Sequence, residues 1–418
     1  IRNDKNSLTF RDLVSQNSVP VIANPDGRGF VQIISGTFSG GSASATAITS
    51  PLGMLHLRDV DVSGYGNAVS DLNGILPSGA ITEYLTHAFR SRTSPAVTGS
   101  MRLPIAETPD LPWDALGDWT FVTSYGAVSS DSGKQPFMGG WTDAGDDSAA
   151  IQAAIDSGKT TVCFPNGIYN INNTIHIRGN VRRIIGLEST LQAGATLANS
   201  GAPMFVFEDG TSPVVVFERF DADYGGISGP YMLHNSTRTL VLQSITSLGS
   251  PAYGYYNYQT GTGTGDLFVE DSIIRISIRN QRAWMRQYNS ETVSLDPITP
   301  HLINDGGTVF ILGMKTEGVA TQIETKNGGR TEVLGGLLAS TNWVTPELPG
   351  IINNESQVCV VAPTYIDPGA QQELVVSETI GGVNRTLGRG NFPDRSSSEY
   401  QWWTQGFGPA GNWYVYGG

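Results

Sequence analysis

The chain has 418 residues, a formal net charge of −13 and a pI near 4.8. That charge excludes the broad basic face on which nucleic-acid binding depends, and it makes a polyanionic ligand less natural. With 51 glycines and only 15% charged residues the composition suits a turn-rich β protein, and no run reaches the roughly 18 apolar residues of a membrane span.

Residues 1–20 are polar and weakly patterned. FVQIISGTFSG (Phe30–Gly40) and MLHLRDVDVSGYGNAV (Met54–Val69) follow, and Val31 to Met54 is a step of 23 residues. Residues 1–73 therefore read as the last coils of a first solenoid. An upstream β-helix segment, or a second chain in an oligomer, is expected to cover its N-terminal end, because an open rung invites association. No signal peptide opens the chain, and Ile1 in place of Met reads as the start of a cleaved or incomplete product. Residues 74–118, with MRLPIAETPDLPWDALGDW, break the pattern and read as an extended proline-rich connector.

A restart comes at residue 119. Asp146 or Asp147 is placed to cap a short helix whose apolar face is Ala149, Ala150, Ile151, Ala153, Ala154 and Ile155, with Gly158 ending it. Asp143, Asp146 and Asp147 read as this cap in preference to a metal cluster. The strand TVCF, the turn Pro165-Asn166-Gly167, and the strands YNI and TIHI come next. Cys163 and Cys359 lie in apolar runs and read as small buried hydrophobes. Strand-like runs continue at Met204–Phe207, Val214–Phe217, Thr239–Leu242 and Leu267–Val269. In the loop from Pro251 to Gly265, Tyr253, Tyr255, Tyr256 and Tyr258 form either a sugar-stacking wall or a loop packed on its own rungs.

The runs Ala283–Met285, Val309–Leu312 and Val333–Leu338 give the clearest repeat. Met285 to Val309 and Val309 to Val333 are steps of 24, and Val333 to Val358 is 25. That spacing suits one coil of a solenoid that buries its apolar face only by stacking. The fold expected is all-β, a right-handed parallel β-helix: a partial first helix, then a complete second helix over 119–390 with a short N-terminal capping α-helix. Residues 391–418, with Trp402, Trp403, Trp413, Tyr414 and Tyr416, read as a cap over the last rung or an interface.

YGA, DDSAAIQAAID and TVCFPNGIYNI together resemble the opening module of the pectate-lyase-like β-helix superfamily, a motif specific for fold and poor for function. Two β-helical segments joined by LPIAETPDLPWD, with AWMRQYNSE and GMKTEG beyond, resemble the glycoside hydrolase family of β-1,3-glucanases built from tandem β-helices, over residues 20 to about 380. The resemblance implies a cleft between the two helices, inversion at the anomeric carbon and a neutral β-glucan-like polysaccharide. Glu317 matches a family glutamate that lines the cleft and helps hold the water. The family's acid glutamate falls one coil later, where aligning the strands puts Ser340, and serine cannot protonate a glycosidic oxygen at neutral pH.

An inverting site needs two carboxyls roughly 6.5–9.5 Å apart. Glu291, one coil before Glu317, is the candidate partner, while Glu324 and Glu332 are weaker substitutes. The catalytic candidates are thus Glu317 and Glu291, and the substrate-binding candidates are Arg286, Gln287, Tyr255, Tyr256, Ser340 and Trp343. No HxH or HExxH spacing occurs, and Arg275, Arg279, Arg282 and Arg286 lack an accompanying Asp cluster, so no metal or other cofactor is implied. The function expected is an extracellular or surface-associated, glycoside hydrolase-like protein that acts on or binds a neutral polysaccharide. The alternative is a non-catalytic structural or adhesive β-helix of a virion, surface layer or filament.

Overall fold

The computed structural model describes residues 1–91, 97–129, 145–222, 227–247, 253–257, 264–291, 299–340, 345–366, 372–392 and 413–418. The molecule is a parallel β-helix with very little helix. A seven-stranded sheet makes up a first stack, and sheets of 12 and 10 strands make up a second.

In the first stack, strands β1 (Ser7–Arg11), β2 (Phe30–Ser39) and β3 (Met54–Asp71) lie parallel, with Ser7 beside Phe30 and Phe30 beside Met54. The strand Ser7–Arg11 belongs to a coil earlier than the first one the hydropathy pattern reveals. Its side chains are all half-buried, so it lacks the alternation by which a strand is recognised. The expected connector also begins too early. Residues 74–85 are the strand β4 (Gly74–Leu85), which folds back antiparallel on β3, and irregular backbone comes only after it.

In the second stack the capping helix α1 (Ser148–Ile155) buries Ile151, Ala154 and Ile155. Asp146 accepts the Ser148 amide at 3.0 Å, while Asp147 accepts the amides of Val128 (2.8 Å) and Asn170 (2.9 Å) and so ties the helix to the first coils. Toward its C-terminal end the 12-stranded sheet is built from five consecutive parallel strands: β5 (Leu267–Ile273), β6 (Arg282–Asn289), β7 (Thr308–Thr316), β8 (Arg330–Ser340) and β9 (Gln357–Ile366). A last strand, β10 (Trp413–Gly417), runs antiparallel on β9 and covers its free edge.

Met285 stands beside Ile311, Ile311 beside Val333, and Val333 beside Val360. The coil lengths are therefore 26, 22 and 27 residues, where the hydropathy pattern read 24, 24 and 25. Side chains alternate with a period of two, so a misalignment of two residues leaves every apolar group facing inward and leaves no trace in the pattern. Six successive coils turn one corner through a left-handed residue at the same rung position: Arg219 (φ +64°), Ser244 (+51°), Asp271 (+45°), Gln287 (+49°), Gly313 (+79°) and Gly335 (+78°). Asp12, Ser35 and Asp59 do so in the first stack.

The two stacks touch through side chains that point away from their own cores. Phe30, Ile34 and Met54 of the first meet Phe310, Leu334, Cys359 and Val361 of the second, with Leu103 of the connector between them. The connector continues across the outer face of the 12-stranded sheet, where Ala106 and Leu111 cover Val216, Val241 and Phe268. The Trp284 indole donates to Pro104 O at 2.8 Å, and Trp113 lies over the Arg183 guanidinium at 4.0 Å. Prolines suit such a strap, because a strand-like segment crossing a sheet face has no ladder to which it could donate its amides.

Candidate functional site: an inter-stack groove

Beside the contact between the stacks runs a groove of about 840 Å³. One wall is Asn6–Phe10, most of it β1. The other is the corner column of β5–β8, with Asp271, Gln287 and Gly313 from successive coils and Gly336 one residue past the next corner, and Asn289 and Lys315 just beyond. Asp271 and Gln287 are exposed at left-handed corners, so their side chains stand out from the rung. The glycine corners leave bare backbone as floor. Apolar surface, with Leu8, Phe10, Leu312 and Leu337 among its residues, makes up most of the lining, and the amide, carboxylate and peptide groups are set into it, a mix suited to the apolar faces and the hydroxyls of a sugar.

Glu291 and Glu317 come together at the end of this wall. Asn289 pairs with Lys315 across β6 and β7, and the Ser290 amide bonds Lys315 O at 3.0 Å, which carries Glu291 and Glu317 into one column. The Lys315 ammonium stands between them, 2.7 Å from Glu317 and in contact with Glu291. Burial opposes the lysine's charge, but hydrogen bonds and charge from both glutamates outweigh it and raise its pKa. Asn289 holds Glu291 further, accepting its amide at 2.9 Å and donating to its carboxylate at 3.1 Å.

Arg286 lines the groove, yet its guanidinium is occupied by Ala106 O and Glu107 at 2.8 Å and by Glu270 at 3.1 Å. Glu107 in turn reaches Arg11, so one connector carboxylate joins both stacks. Burial works against the charge of Glu107, but the two arginines keep its carboxyl below the usual range.

Several sequence-derived assignments change. Leu338 pairs with Thr316, so one residue further it is Ala339 that stands across from Glu317. Ser340 is 3% exposed and bonds Gln372 and Gln322 inside the corner. The assumed step of 23 exceeded the true one by a single residue, which reverses the facing of a strand side chain. Tyr255 is fully buried, with its hydroxyl between His234 Nδ1 and Gln281 Oε1 at 2.9 Å each, and offers no surface to a ligand. Its neighbour Tyr256 points outward from the 10-stranded sheet and is not part of the groove lining. Trp343 and Tyr258 lie outside the described residues. Glu324 pairs with Lys326 at 3.3 Å. Glu332 is entirely buried: its carboxylate accepts the amides of Arg102 and Leu103 at 2.9 Å and faces Arg58 at 3.3 Å. It is a clasp on the connector, not an acid in a cleft. Sequence reasoning missed Asp271, Asn289, Lys315 and the β1 wall, because an exposed polar residue at a corner carries no periodic signal.

No family model matches the chain, and no curated protein sequence matches it. Similar solved structures include PfbA, a surface adhesin of Streptococcus pneumoniae (10% identity, 64% of this chain and 93% of that one, TM-score 0.38). ORF18 of Geobacillus virus E2 is another (13%, 59% and 62%, TM-score 0.37). The A-module of the Azotobacter vinelandii mannuronan C-5 epimerase AlgE6 is a third (13%, 63% and 98%, TM-score 0.26). At such identities and scores nothing about ligand or activity passes from them to this chain.

Proposed function

We propose that this protein is a carbohydrate-binding β-helix of the extracellular space or a surface, which holds a neutral polysaccharide such as a β-glucan in the inter-stack groove without cleaving it. The observation that carries this reading is the Glu291–Lys315–Glu317 triad at the end of a groove that sets amides, carboxylates and bare backbone among apolar side chains. The triad offers hydrogen-bonding groups to sugar hydroxyls. The coil that would supply a separate proton donor brings Ala339 to that place. The acidic overall charge favours a neutral chain over a polyanionic one.

The test pairs a binding assay with a turnover assay on a panel of soluble glycans. Wild-type protein is expected to bind a neutral glucan and to release no reducing ends. Glu317→Gln is expected to weaken that binding by about tenfold, the loss of one charge-assisted hydrogen bond. Reducing-end release that disappears in Glu317→Gln would restore the hydrolase reading. Failure of every glycan to bind would remove carbohydrate from the account altogether.

A further inference from the structure

The first stack turns one column of side chains toward the second: Thr9 on β1, Gln32 on β2 and His56 on β3, neighbours in consecutive coils. Gly335 of β8 stands against this column; a Cβ there would lie 2.1 Å from Thr9 Oγ1 and 3.4 Å from Gln32 Oε1. Gln32 and His56 are 0% exposed. His56 Nε2 meets Glu83 at 3.0 Å, but His56 Nδ1 has no hydrogen-bond partner, and neither the oxygen nor the nitrogen of the Gln32 carboxamide has one. Ser7 Oγ, on the same strand as Thr9, is likewise buried and unpartnered. Ser7 and Thr9 both line the groove. Unpartnered polar atoms thus run from the groove wall inward to His56, along a seam where the stacks meet.

Folded proteins rarely leave a buried amide with both groups unbonded. The Gln32 carboxamide presents one acceptor and one donor side, and a hydroxyl oxygen satisfies both with a single atom. An anion would leave Oε1 unbonded and a cation would leave Nε2 unbonded, whereas a hydroxyl oxygen both donates and accepts. We propose that the groove continues inward as a polar subsite with Gln32 at its base, and that its occupants are hydroxyl oxygens that donate to Gln32 Oε1 and accept from Gln32 Nε2. Such oxygens come either from bound water or from a hydroxyl arm of the bound glycan; the second source rests on the proposed glycan-binding function.

Gln32→Leu stays close in size and removes both polar atoms. The readouts are the thermal midpoint of the free full-length chain and its affinity for a β-glucan oligosaccharide by calorimetry. With water as occupant, the midpoint falls by a few degrees and affinity holds. With a sugar hydroxyl as occupant, the midpoint holds or rises and affinity drops tenfold or more. A midpoint that holds or rises together with unchanged affinity overturns the subsite. If wild-type protein binds no glucan, the proposed function fails, and the midpoint alone decides whether the seam is hydrated. Should Gln32→Leu fail to fold, crystals of wild-type protein decide: an oxygen within hydrogen-bond distance of Gln32 supports the subsite, and its absence with and without glucan overturns it.

Discussion

Gln287 and Gly335 occupy the same corner in different coils, at φ +49° and +78°, and they respond oppositely to substitution. A side chain in the left-handed region costs about 1–2 kcal/mol, part of which glycine recovers at the expense of unfolded-state entropy. Gln287→Gly is therefore expected to stabilise the protein by up to about 1 kcal/mol. Gly335→Ala adds the same strain and a collision with Thr9, and is expected to destabilise it by about 2 kcal/mol or more. Urea midpoints check both. At this scale the sequence was a partial guide. Glu291 and Glu317 share one column because they stand one coil apart, while Gln287, singled out only with the AWMRQYNSE stretch, stands on the groove wall. Ser340 and Tyr255 were misplaced, because whether a strand residue faces in or out depends on a register that a single turn residue changes.

The connector shows what one element contributes beyond its own conformation. Its proline-rich character was legible, since LPIAETPDLP has no periodicity of either kind. Its path was not, because nothing local indicates that Leu103 enters an apolar cluster shared by both stacks, or that Glu332 waits for the Arg102 and Leu103 amides. Glu332 binds a guanidinium and two amides in full burial, so Glu332→Ala leaves a buried cation and two donors unsatisfied. The expected loss is about 3–5 kcal/mol. Glu332→Gln is also expected to destabilise, since an amide presents one acceptor where two are used. Denaturant unfolding gives the magnitude, and a gain in proteolysis between residues 86 and 118 in the variant would locate the damage in the strap.

Across the whole molecule, the solenoid was the most legible feature, because a core that repeats along one axis writes its inward residues into the chain once per coil. The polar groups buried inside it were not legible. His234 donates from Nε2 to Arg238 O at 2.9 Å and turns Nδ1 toward Tyr255 and Gln281, so it is neutral in the fold. Burial, with some help from the Arg238 charge and against the pull of Asp209, pushes its pKa down to about 4. Burial and the Arg275 charge push His301 down to about 3. In the unfolded chain both titrate near 6.5, so between there and the folded values the unfolded state holds more protons. Stability is therefore fully present above pH 6.5 and falls as the pH drops toward 3, by on the order of 3 kcal/mol for His234 alone. Urea midpoints at pH 7.5 and 4.5 measure the fall, and His234→Asn is expected to flatten the slope whatever its cost at neutral pH.

The clasp also sets a timetable. Arg102 and Glu332 are 230 residues apart in the chain. At roughly 5–20 residues per second on a ribosome, the first stack and its strap wait on the order of 10–50 s for the strand that receives them. Through that interval Phe30, Ile34 and Met54 have no second stack to cover them. Slowing elongation between codons 103 and 332 would lengthen the time such a nascent chain spends adhesive to its neighbours.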